Sequence, residues 1–108
     1  MFLKTLIRCN RPFLEAVINL HQAGKIPPNS YALDLDMLAA NTRVIAGEAA
    51  KYNLKVLAMT KQIGRNPAAL RVLKANGIDS CVAVDVACAR PVHAAGLKVG
   101  HIGHLVQV

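Results

Sequence analysis

Apolar positions follow two periods along this chain. In 11–24 (RPFLEAVINLHQAG), Phe13, Leu14, Val17, Ile18 and Leu20 recur at spacings of three and four. That spacing predicts an amphipathic helix, with Pro12 in its first turn and Gly24 as its stop. Residues 25–30 (KIPPNS) form a linker, because Pro27 and Pro28 forbid a helix. The run 31–35 (YALDL) reads as a short strand. Asp36 then caps a helix over 36–53, whose predicted face is Leu38, Asn41, Ile45, Ala49 and Tyr52.

Beyond Asn53 the pattern alternates. The apolar run 54–59 (LKVLAM) predicts a strand. A polar turn, 60–66 (TKQIGRN), follows. Asn66 as N-cap and Pro67 at the first helical position open a helix that Gly77 ends. A second strand is predicted at 80–84 (SCVAV) and a third at 99–106 (VGHIGHLV). The intervening helix is expected to start near Ala87, because Pro91 suits only a first turn. Uninterrupted apolar strands alternating with short helices predict an α/β chain: a parallel sheet covered by helices. An unpaired apolar strand near Val108 predicts the opening piece of a larger α/β domain, or a truncated product.

Composition narrows the function classes. With 108 residues and 54% hydrophobic content, the chain can build one modest core and is not a disordered tail. The net charge of +7 comes from 13 dispersed basic residues, so no nucleic-acid or membrane patch is written in the sequence. Aromatics at 4% with no Trp leave little for stacking on single-stranded nucleic acid. The residues 1–10 (MFLKTLIRCN) are interrupted by Lys4 and Arg8 and lack a signal peptide's long apolar stretch. Cys9, Cys81 and Cys88 are an odd number without a CxxC pair, and the latter two sit in apolar runs. These features predict a reduced, cytoplasmic protein with no disulfide framework.

Parallel α/β folds carry chemistry at the carboxyl ends of their strands. The residues expected there are Thr60, Lys61 and Gln62, then Asp85 and Val86, then Gln107. Lys61 is the reactive candidate: a lysine at such a lip can form a Schiff base with an aldehyde, although it can also simply extend into solvent. The turn Gly64-Arg65-Asn66 leads into a helix N-terminus, where free N–H groups and Arg65 could hold an anion or simply cap the helix. His101 and His104 fall on opposite faces of a strand by alternation, and no metal site is expected.

Taken in order, these segments resemble a known family. YALDLDMLAANTRVI, LKVLAMTKQIGRNP, LKANGIDSCVAV and ACARPVHAAGLKVGHIGHLV are similar to successive segments of the alanine racemase N-terminal domain. That family of fold-type III pyridoxal-phosphate barrels also includes D-threonine aldolases and D-serine dehydratases; the likeness is to an uncharacterised bacterial branch. The resemblance implies a TIM (β/α)8 barrel of which residues 31–108 are the opening part, preceded by a helix and linker over 1–30. It implies that Lys61 forms a Schiff base with pyridoxal 5'-phosphate and that Arg65 stands where the family places a phosphate-contacting tyrosine. Expected function is amino-acid racemisation in the complete parent, on a small amino-acid-like substrate, with a homodimer of that parent left open. Aldol cleavage, elimination, a non-catalytic carrier of the cofactor, an inactive truncated product and a small basic nucleic-acid-binding domain are the alternatives.

Overall fold

The computed structural model describes residues 2–103. Contacts divide the chain into two units, Met1–Asp34 and Leu35–Val108. The first unit pairs α1 (Phe2–Cys9) with α2 (Arg11–Gln22). The sequence signalled only α2. Asn10 organises the turn between them. Its Oδ1 accepts from the Phe13 amide at 3.4 Å, capping α2, and its Nδ2 donates to Asp34 Oδ2 at 2.6 Å. No residue of either helix is buried.

The second unit runs α3 (Leu35–Lys51), β1 (Ala58–Met59), a 3-10 turn (Lys61–Ile63), α4 (Pro67–Ala75), β2 (Ser80–Ala83), α5 (Val86–Ala94) and β3 (Lys98–Ile102). The strands form one sheet, ordered β1-β2-β3, and both pairings are parallel. Parallel neighbours need crossovers, and α4 and α5 provide them. Both helices pack on the same face as Cys81. The core there is Leu70, Leu73, Ile78, Cys81, Val92 and Leu97, with Ala58 and Val99 packed against it.

Several expectations change. Residues 31–34 contain no strand, and Leu35 opens α3, so Asp36 lies inside the first turn rather than capping it. A carboxylate there still favours the helix through the dipole. The inward face of α3 is Leu38, Thr42, Ala46 and Ala49. Asn41, Ile45 and Tyr52 are exposed. Close approach decides this: a Cβ on Gly77 would stand 3.0 Å from the Ala46 Cβ, so α3 must present its small residues to that turn. The buried Thr42 hydroxyl is satisfied by donating to the Leu38 carbonyl at 2.6 Å.

Of the predicted strand 54–59, only Ala58–Met59 pairs. Helix α5 starts at Val86 and keeps Pro91 in its interior, capped by Asp85, whose Oδ1 accepts from the Cys88 amide at 2.6 Å. Pro91 offers no N–H to the Ala87 carbonyl. A strong cap and burial of Cys88 and Val92 hold the helix despite that loss. At the amino edge, Lys98 Nζ and Ser80 Oγ both donate to the Asp79 carboxylate at 2.8 Å, tying β3 to β2. Among the described residues no helix is long and apolar enough to cross a membrane.

Candidate functional site

The carboxyl ends of the strands bring the predicted residues to one edge. After Met59 the chain turns at Thr60, whose carbonyl accepts from the Ile63 amide at 3.3 Å and the Arg65 amide at 3.1 Å. Gly64 and Arg65 both adopt positive φ, +63° and +53°. Glycine takes this conformation freely, whereas Arg65 is strained there, and the closure onto the Thr60 carbonyl is what holds it. Asn66 then caps α4, its Oδ1 accepting from the Ala68 and Ala69 amides at 2.9 and 3.2 Å. The predicted N-cap and Pro67 start are therefore observed.

Lys61 lies on this turn, exposed, and its ammonium has neither a carboxylate nor a hydrogen-bond acceptor among the described residues. Thr60 beside it is 3% exposed, and its Oγ1 is buried with no hydrogen-bond partner among the described residues. A buried hydroxyl left without a partner costs about 1–3 kcal/mol unless water, a ligand or a further segment satisfies it.

Arg65 reaches across to the next strand–helix unit. Its Nε donates to the Cys88 Sγ at 2.9 Å, linking the turn after β1 to the first turn of α5. The sequence placed Arg65 at a helix N-terminus but gave no sign of this contact, because 23 residues separate the pair. Burial raises the Cys81 thiol pKa, and the neighbouring Cys88 adds to it. Cys81 and Cys88 are both free and buried, as small core residues would be.

Asp85 is engaged as the α5 cap, and Val86 is exposed at the start of that helix. Gln107 and His104 lie outside the described residues. Among the described residues no group of three or more His, Cys, Asp or Glu could hold a metal ion. A hollow lined by Ala46, Ala49, Val56, Gly77 and Asp79 opens at the opposite, amino edge. Ligands of parallel α/β sheets bind at the other, carboxyl edge.

No protein-family model matches the chain. It is 42% identical over all 108 residues to the uncharacterized protein YhfX of Escherichia coli (strain K12). The chain spans 28% of the length of that relative.

Proposed function

We propose that this chain is the opening part of a (β/α)8 barrel that uses pyridoxal phosphate to act on an amino acid, with Lys61 as the residue that holds the cofactor. The observation that carries the reading is Lys61 itself: an exposed, unpaired primary amine directly after a parallel strand, at the edge where such folds assemble their sites. Three parallel strands in sequential order, with helices on one face only, suit the start of a barrel wall.

The residues at this edge fit the cofactor. Lys61 supplies the amine for its aldehyde. Arg65, with no carboxylate partner among the described residues, supplies positive charge beside the first turn of α4. The Thr60 hydroxyl is a polar group still without a partner. When bound, pyridoxal phosphate supplies an electron sink for charge at a substrate α-carbon. Lys61 does the remaining work. Its amine would hold the cofactor, and once free it would be placed to take or return a substrate proton as a general base or acid. Lys61 would serve one face only; racemisation, the reaction the family resemblance favours, needs a second acid–base group on the opposite face.

Spectroscopy tests this. Pyridoxal phosphate added to the complete parent protein should give an absorbance band near the visible edge, whereas residues 1–108 alone should bind it weakly or not at all and be inactive. Lys61→Ala and Lys61→Arg should each abolish the band, because a guanidinium stays protonated and cannot attack an aldehyde. A band that survives in both variants would refute the assignment. Loss of optical rotation from single-enantiomer alanine would identify racemisation, whereas release of an aldehyde or ammonia would identify cleavage or elimination.

A further inference from the structure

Strand β3 is not regular. Cys81 pairs with Val99, but Val82 pairs with His101, so Gly100 is an extra residue bulged out of the ladder. A bulge reverses the facing of every residue after it. Val99 packs against the helix-covered core together with Cys81. Plain alternation from Val99 would turn His101 toward the helices and Ile102 away from them. The bulge does the opposite. Ile102 pairs with Ala83, which is fully buried on the helix side, and His101 joins Met59 and Val82 in one row across the uncovered face.

His101 is the one polar side chain in that row, and it is exposed. It hydrogen-bonds nothing among the described residues. Its ring leans along the strand to the carboxyl edge: Nε2 lies 2.5 Å from where a Cβ on Gly103 would stand. Gly103 thus leaves room for the imidazole while its amide continues the ladder to the Ala83 carbonyl at 2.9 Å. Lys61 follows Met59 by two residues at the same edge. With neighbouring strands about 4.8 Å apart, the β1 and β3 backbones are separated by roughly 10 Å, a span that a pyridine ring with an attached amino acid bridges.

We infer that His101 is a ligand-contacting residue of the Lys61 site, its imidazole hydrogen-bonding the ligand that Lys61 holds, and that the bulge at Gly100 is what delivers it there. The inference rests on the cofactor reading above and adds to it a residue on another strand.

Titration of the complete parent protein with pyridoxal phosphate, followed through the imidazole NMR signals, tests it. The His101 signal, assigned by its loss in His101→Gln, should move, while those of His21 and His93 stay. His101→Gln should bind pyridoxal phosphate about fivefold more weakly, the effect of one net hydrogen bond, while borohydride still fixes the cofactor on Lys61. An unmoved His101 signal and unchanged affinity in His101→Gln, with Lys61 labelled, would overturn the role of His101 alone. Failure to label Lys61 would overturn the cofactor reading and this inference with it.

Discussion

The two units of this chain are built from similar helices and differ in what those helices bury. Helix α2 has the clearer amphipathic spacing, yet Ile18 and Leu20 are 44% and 41% exposed and neither helix of the first unit contains a buried residue. Helix α4 is shorter, yet Ala69 and Leu70 are fully buried and Leu73 nearly so. The difference is the sheet. A helix pair offers one apolar stripe to another, whereas β2 presents Cys81 and Ala83 on a continuous surface that two crossover helices can cover. Periodicity makes a helix; a second layer makes a core.

Substitutions can break that contrast. Leu70→Ala should show the largest effect, costing about 2–5 kcal/mol because it leaves a cavity in the packed layer. Ile18→Ala, by comparison, should stay within about 0.5 kcal/mol. Chemical denaturation of the two variants measures both, and equal losses would show that the first unit has a core of its own. Thr60→Val should act in the other direction. It replaces an unsatisfied buried hydroxyl with a methyl group of the same shape, which should raise stability by about 1 kcal/mol. Unchanged or lowered stability would mean that the hydroxyl is satisfied in solution.

The smallest effect belongs to the amino edge. The Lys98 ammonium, and then the Ser80 hydroxyl, hold the Asp79 carboxyl below its usual pKa. Stability from a depressed carboxylate is present above the ordinary aspartate range and is lost as pH falls through the folded-state value. The wild type should therefore lose its small advantage over Asp79→Asn on acidification, and salt should shrink that advantage at neutral pH, since the pair is exposed. A difference independent of pH and salt would remove the ion pair from the account.

What the sequence made legible follows from the same comparison. Asn66, Pro67 and Gly77 marked α4 because caps and stops are local chemistry. The parallel order of β1, β2 and β3 followed from alternation with helices. Lys61 was legible as a strand-end residue. Contacts between distant segments were not. The face of α3 was set by Gly77, more than 25 residues away, which admits Ala46 but would not admit a bulkier neighbour. The Arg65–Cys88 contact joins two separate strand–helix units. The bulge was hidden because one extra residue shows only as a glycine within a strand, yet it reversed the facing of His101. Helix α1 was missed because Lys4 and Arg8 broke up its apolar run, although they lie on the same turns as Phe2, Leu3, Leu6 and Ile7.

The most direct test of the central claim is covalent. In the complete parent protein, reduction with borohydride in the presence of pyridoxal phosphate converts the C=N bond, formed when a lysine amine condenses with the aldehyde and releases water, into a stable secondary amine. Peptide mapping should then find the label on Lys61 and not on Lys55, which precedes β1, or Lys74, which lies near the end of α4. Label on either of those lysines, or on none, would contradict the account.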